Sequence, residues 1–328
     1  MLKRTILSII FIIGIVFLFV SCEKVTQKLP QTMEAQLALL PENANALGYV
    51  NVKKIHESDF VNMFLDSSNA YPFTDKEYQE FVESTGLDIR KDISEIYFAA
   101  KLGDHPNEKN GLAVIKGNFD PDKIIEYIEK EAKSHTLTKG SYSDYDIYNL
   151  TEDDTVYFSF VNNTILLVGN EDNITTWIDK SSGKSDKSDN ELMSEVDKIK
   201  YKDTAWFTMD ASLITEELKK KDIKKLKSLE SLKSISLSMN LVEKFKFFGE
   251  SKFKSSEQAE LFYDAIKGFI AAGKLSTSDD REFVDLLNSI EVKHDNDQVT
   301  INVEFSKNDV EKLLNMKDSI ASEVIASL

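Results

Sequence analysis

A single cysteine, Cys22, serves a chain of 328 residues. One thiol excludes a disulfide framework and any cysteine-rich metal centre. Histidine is scarce as well. His56, His105, His135 and His294 stand at none of the metal spacings such as His-x-x-x-His or His-Glu-x-x-His. Twelve glycines are scattered, and they form no phosphate loop, dinucleotide fingerprint or Gly-x-Ser-x-Gly elbow. Basic residues are in deficit, 40 Lys and Arg against 56 Asp and Glu, for a net charge of −16. So acidic a chain repels phosphate and is a poor general binder of nucleic acid. No apolar run reaches the roughly 20 residues that a membrane-spanning helix needs. With 41% hydrophobic and 29% charged residues the composition is that of a folded protein, and the length suits two domains.

What is present starts at the N-terminus. Met1-Leu2-Lys3-Arg4 is followed by an apolar run from Ile6 to Val20 and then by Ser21-Cys22. A basic start, a short apolar stretch and a small residue describe a secretory signal over residues 1–21. Phe19-Val20-Ser21-Cys22 resembles the lipobox of bacterial lipoproteins, with Phe19 where that family prefers Leu. The resemblance implies that Cys22 becomes the first mature residue and carries acyl chains on its thiol. Several chains at about 0.8 kcal/mol per buried methylene hold a protein firmly to a bilayer. Cleavage removes Lys3 and Arg4 and takes the net charge from −16 to −18. Glu23, rather than Asp, follows the cysteine; by analogy with enterobacterial sorting this implies the outer membrane, facing the periplasm or the surface. Residues 22–32 read as a polar tether.

The mature chain contains a repeated order of elements. A short helical pattern from Met33 to Leu40 precedes a strand from Ala46 to Val52. A second from Leu192 to Ile199 precedes a strand from Thr204 to Asp210. Each copy continues with a strand (Ile93–Leu102; Leu232–Leu241), a hairpin partner (Gly111–Phe119; Lys244–Phe253) and an amphipathic helix (Pro121–Ser134; Ser256–Ala272). A second hairpin follows (Thr155–Phe160 with Ile165–Val168; Ile290–His294 with Val299–Phe305), then a closing helix (Asn173–Lys180; Lys307–Leu328). Ile235, Leu237, Met239 and Leu241 alternate with Ser234, Ser236, Ser238 and Asn240, which predicts an antiparallel strand buried on one side. Ser, Gly, Lys, Asp and Asn make residues 181–190 a linker by composition. The expected fold is therefore α+β: two tandem, duplicated units over 33–180 and 191–328, each an antiparallel sheet with helices on one face. The units stand side by side or face each other across a groove. The stretch Leu40-Pro41-Glu42-Asn43-Ala44 through Tyr49-Val50-Asn51-Val52 resembles the start of exported bacterial proteins with no assigned chemistry, and implies no activity.

Few residues suggest chemistry. The plain reading of the four histidines is a surface or helix-end position. Asp144, Asp146, Glu152, Asp153 and Asp154, and Asp295 with Asp297, are the acidic clusters to weigh as calcium sites. Calcium needs six to eight oxygens in a wrapping loop, and Asp295-Asn296-Asp297 lacks the glycine and the distal Glu, so solvated turns are expected. Lys219, Lys220, Lys221, Lys224, Lys225 and Lys227 form the one basic patch, read as a solvated helix face before a contact with anionic lipid. Trp206 and Phe207 are neighbours on one strand and must face opposite sides, so one of them needs a cover outside the main core.

The expectation is a membrane-anchored envelope lipoprotein that works as a binding or scaffold module for a protein, lipid or polymer. No catalysis, cofactor, metal or nucleic acid is expected, and an apolar or aromatic patch should lie between the copies. The rivals are a hydrolase using paired carboxylates, which needs an acid with a raised pKa in a cleft, and a carrier holding a small apolar ligand in an enclosed cavity.

Overall fold

Runs of β-branched and aromatic residues recur along the chain, and in the computed structural model they form a single sheet. The structure describes residues 31–59, 61–62, 76–102, 110–131, 136–151, 155–186, 190–199, 203–212, 215, 229–277 and 280–315. The first half contains α1 (Gln31–Leu37), β1 (Ala46–Val50), α2 (Val52–His56), α3 (Lys76–Thr85), α4 (Ile89–Asp92), β2 (Ile93–Lys101) and β3 (Asn110–Gly117). It continues with α5 (Pro121–Glu131), β4 (Thr136–Tyr142), β5 (Tyr145–Thr151), β6 (Thr155–Asn162), β7 (Ile165–Gly169) and α6 (Glu171–Ser181). The second half contains α7 (Met193–Val196), β8 (Ala205–Asp210), β9 (Leu232–Asn240), β10 (Phe245–Phe253), α8 (Ser256–Ser276), α9 (Arg281–Asn288), β11 (Glu291–Asp295), β12 (Gln298–Phe305) and α10 (Lys307–Asn315).

Local chemistry sets many of these boundaries. Asn51, Asp88, Ser255 and Asp280 cap helices by accepting from the backbone amides of Lys54, Arg90, Gln258 and Phe283. The β4–β5 and β11–β12 turns each place one residue in the left-handed region, Ser143 at φ 52° and Asn296 at φ 54°.

The twelve strands lie in the order β11-β12-β10-β9-β8-β1-β2-β3-β7-β6-β5-β4. The halves meet edge to edge, where β1 runs antiparallel to β8 with Gly48 opposite Phe207 and Tyr49 opposite Trp206. From this seam one side runs outward through β1, β2, β3, β7 and β6, and the other through β8, β9, β10, β12 and β11; β5 and β4 extend the first side. A single continuous α+β sheet takes the place of two separate ones, in the side-by-side arrangement.

Helices cover both faces, which corrects the expectation of one covered face. One face holds Leu47, Tyr49, Tyr97, Leu112, Val114, Leu167 and Trp206, against Leu37 of α1, Trp177 and Ile178 of α6 and Val196 of α7. The opposite face holds Val50, Ile96 and Met239 with Ile124 of α5. It continues through Phe253, Val292 and Val299 beneath Ala259 of α8. The reason is visible in β2, where Ile96 and Phe98 alternate with Tyr97 and Ala99, so both sides need burial. β9 differs again. Its serine side is buried, not solvated: the Thr208 and Ser236 hydroxyls lie 2.9 Å apart and Ser238 donates to Asp203 at 2.7 Å.

The loop before β1 is gripped by the end of α6 and by the linker that follows it. Asn190, counted into the linker by composition, is buried, and its Nδ2 donates to the carbonyls of Pro41, Glu42 and Ala44 at 3.3, 2.8 and 2.9 Å. Lys180 is also buried and donates to the Leu40 carbonyl at 3.2 Å. Burial lowers its pKa, an effect partly offset by Glu42.

Candidate functional site

The sheet face that carries α5 and α8 has a half-buried apolar row running across the seam. Its centre is a glycine. A Cβ on Gly48 would stand 2.1 Å from Cζ of Phe98, so only glycine lets that ring lie on the sheet. Phe98 and Phe207 flank Gly48 on the two neighbouring strands, and their rings meet above it at 6.2 Å between centroids and 22° between planes. Leu237 is directly opposite Phe207 on β9. Beyond it, the ring of Phe247 and a methyl of Leu237 both lie against Gly249 of β10, 3.0 and 3.5 Å from where a Cβ would stand. Phe245 and Phe305 stack at 5.8 Å beside Phe247. From β2 to β10 the row crosses four strand spacings, about 19 Å. Phe98, Phe207, Leu237, Phe247 and Phe305 are each half-buried, whereas Tyr97, Trp206, Ser238 and Phe248 on the other side of β2, β8, β9 and β10 are buried.

That other side carries a polar cluster under the seam. Tyr49 stacks on Trp206 at 6.1 Å and lies 5.0 Å from Tyr97. Both hydroxyls donate to Glu95, Tyr49 at 2.7 Å and Tyr97 at 3.3 Å, and Lys116 pairs with the same carboxylate at 3.2 Å. Burial first, and then Glu95, push both phenols well above their ordinary pKa. They are fixed donors at neutral pH and clamp the carboxylate without a proton to exchange.

Those residues singled out from the sequence that the structure describes are not gathered into a centre. His56 ends α2, half-buried, with its pKa lowered by burial and by Arg90. His294 lies in the other half, bonded to the Asn296 carbonyl at 2.7 Å. Asp146 pairs with Lys139 at 2.7 Å, Asp144 is exposed in the β4–β5 turn, Asp295 accepts from Asn296, and Asp297 lies 3.8 Å from Lys233. Among the described residues no group of three or more His, Cys, Asp or Glu is placed to hold a metal. Cys22, His105, His135, Glu152, Asp153, Asp154 and the lysines from Lys219 to Lys227 lie outside the described residues. No described helix is long and apolar enough to cross a membrane.

The sequence signalled part of the row. It separated Trp206 from Phe207 by face. It missed Phe98. The available signal was Gly48, a lone glycine within an apolar strand, which marks a close approach from above.

No protein family and no curated protein matches the sequence. The chain is similar to a solved structure titled "Structure of crystal form I of TP0453", at 9% identity and a TM-score of 0.45, over 86% of this chain and 96% of that one. A likeness that remote carries no argument about function.

Proposed function

We propose that the protein is a lipid-anchored binding module of the bacterial cell envelope, and that the apolar row across the β1–β8 seam receives an amphipathic helix of a partner protein. The observation that carries this is the continuous row from Phe98 over Gly48 to Phe207, Leu237 and Phe247. The backbone groups of these inner strands are already paired within the sheet, so an added strand has no edge to join here. Apolar contact is what the row offers. Among the described residues, helices cover this face on either side, α2, α3 and α5 in the first half and α8 in the second, and a further helix about 10 Å across fits between them. The matched outward order of strands from β1 and from β8 supports an origin by duplication of units spanning 33–180 and 191–328. The lipobox at Cys22 supports the anchor, and the chain's acidity keeps nucleic acid out of the reading.

Two rival readings have less to rest on. A carboxylate hydrolase needs an acid with a raised pKa. Among the described residues, the carboxyls of Asp88, Asp120, Glu195, Glu291 and Glu304 are all shifted downward. A carrier needs an enclosed apolar cavity. The hollow of about 300 Å³ between α5 and the β4–β5 hairpin is open and is lined by Asp122, Glu126, Glu129 and Lys139 as well as Ile125, Leu137 and Tyr148.

The test places a photo-crosslinking phenylalanine analogue at position 207 of the full-length protein in its native membrane. A peptide adduct whose apolar residues recur at helical spacing is expected. An acyl-chain adduct alone, or none, would overturn the helix reading. Intact mass spectrometry beside a Cys22→Ala control tests the anchor separately. A mature chain starting at an acylated Cys22 is expected, and an unmodified cysteine behind a retained N-terminus would remove it.

A further inference from the structure

The sheet ends at two edges, and they are guarded differently. β11 carries Glu291, Lys293 and Asp295, a charge at every second position, as exposed edges normally do. β4 carries one charge in seven residues, Lys139, and no proline. That lysine is drawn back from the edge. It pairs with Asp146 of β5 at 2.7 Å and lies over the Tyr148 ring, 5.7 Å from its centroid. Among the described residues β5 is the only strand beside β4. The hairpin they form closes through Ser143 and Asp144, with Tyr142 opposite Tyr145. Hydrogen-bonded and non-hydrogen-bonded pairs alternate from that turn, so Leu137, Lys139 and Ser141 point their backbone N–H and C=O groups away from β5. Such a row is a template for another strand.

The hollow beside this edge selects the kind of strand. Leu137 and Lys139 share the side of β4 that faces α5, and the hollow lies between them and that helix. Ile125, Leu137 and Tyr148 make it apolar at the base. Asp122, Glu126 and Glu129 of α5 rim it, all exposed and in one line at helical spacing. Lys123 is engaged by Asp120 and Lys139 by Asp146, and among the described residues none of the three rim carboxylates is in an ion pair.

We propose that β4 accepts an extended, basic segment of a partner protein as a thirteenth strand, with every second side chain a Lys or Arg reaching into the hollow. The edge supplies backbone hydrogen bonds and the hollow supplies the preference. An added strand stands about 4.8 Å beyond β4 and turns alternate residues to the α5 side. The stem of a Lys or Arg there covers Leu137 and Ile125 while its head meets the carboxylates. β4 is six strand spacings from β1, about 29 Å, so this edge and the row at the seam can be occupied independently.

Other occupants fit less well. Two β4 strands paired antiparallel about a two-fold axis bring both α5 helices to one face, acid rim against acid rim. A metal ion lacks its ligands, since no group of three acids among the described residues is placed to hold one.

The test uses the full-length chain in zwitterionic detergent micelles. Two fluorescent peptides of about eight residues, the length of a strand, are titrated in and read by anisotropy. One alternates Lys with Val, the other Glu with Val. Saturable binding of the lysine peptide is expected, with slowed hydrogen exchange at Leu137, Lys139 and Ser141, and no binding of the glutamate peptide. Ser141→Pro removes one outward amide and spares the β5 ladder, and should weaken binding about tenfold. Glu126→Gln with Glu129→Gln should weaken it by a similar factor. Amide protection is read on the unaltered chain, so it decides even where Ser141→Pro folds poorly. Equal binding by all variants would mean general attraction to an acidic chain and would overturn the proposal. Binding without protection of the β4 amides would place the peptide off the edge, and equal binding of both peptides would remove the basic preference; either result overturns it, as does no binding at all.

Discussion

Trp206 and Phe207 are adjacent in the chain and belong to opposite faces. The first is buried against Tyr49, and the second is half-buried against Phe98. Truncating the two side chains should therefore separate stability from binding. Trp206→Ala is expected to cost about 3–5 kcal/mol, as for a large aromatic removed from a packed core. Phe207→Ser should shift the urea midpoint much less and abolish capture of a partner helix. Equal stability losses from both would mean that the row across the seam is ordinary core.

Gly48 should tolerate no side chain. Replacing a strand glycine normally stabilises by cutting the freedom of the unfolded chain. Here the first added atom meets the Phe98 ring. Gly48→Ala is expected to destabilise by about 1–3 kcal/mol. Phe98→Leu in the same chain should recover part of that loss in denaturant titration.

Asn190 ties the linker onto the loop before β1. Asn190→Ala strips three carbonyls of their donor and is expected to cost about 1–3 kcal/mol in thermal unfolding. Asn190→Asp should be worse, because it sets a carboxylate against three carbonyl oxygens.

Acid should loosen the region of α3 and α4 first. Burial alone would raise the pKa of Asp88, but hydrogen bonds from Arg90, Tyr78 and Lys91 outweigh it and hold the carboxyl well below its ordinary value. A depressed carboxylate contributes stability that is full above its unfolded pKa, about 4, and is lost as pH falls toward the folded value. Stability should therefore decline below pH of about 4, and the decline should flatten in Asp88→Asn. The tyrosines give the opposite arm. Tyr49, Tyr78 and Tyr97 are raised by burial and by their carboxylates, so their contribution is full below pH of about 10 and is lost as pH climbs through the folded values. Tyrosinate absorbance should show these three ionising only as the protein unfolds.

How far the sequence reveals this structure differs from element to element. β9 was legible because Ile235, Leu237 and Met239 alternate with serines, though alternation does not say that the serine side would also be buried. β4 was not legible. It is one of the two edge strands, largely exposed, and Thr136 to Tyr142 carries no apolar alternation. α3 and α9 were also missed, the latter despite an Asp280 cap and an amphipathic Arg281–Asn288. Pairing of β1 with β8 depends on segments far apart in sequence, and no local pattern in Ala46–Val50 names its partner. The candidate site inherits that limit. Phe207 could be flagged from its neighbour Trp206, but Phe98 gains its meaning only once the seam is formed.

The seam also fixes an order of events in time. β1 pairs with a strand about 160 residues later in the chain, a costly loop to close before any contact rewards it. Before the second half is in place the first half can assemble β2, β3 and β7 beside β1 while the other edge of β1 stays open. That edge, Ala46 to Val50, is apolar and buried in the finished sheet, without the charged or proline guards that exposed edges need. A chain that stops before Ala205 would present it permanently. The first half released alone should pair with itself, and β8 acts as the stopper that ends this vulnerable interval.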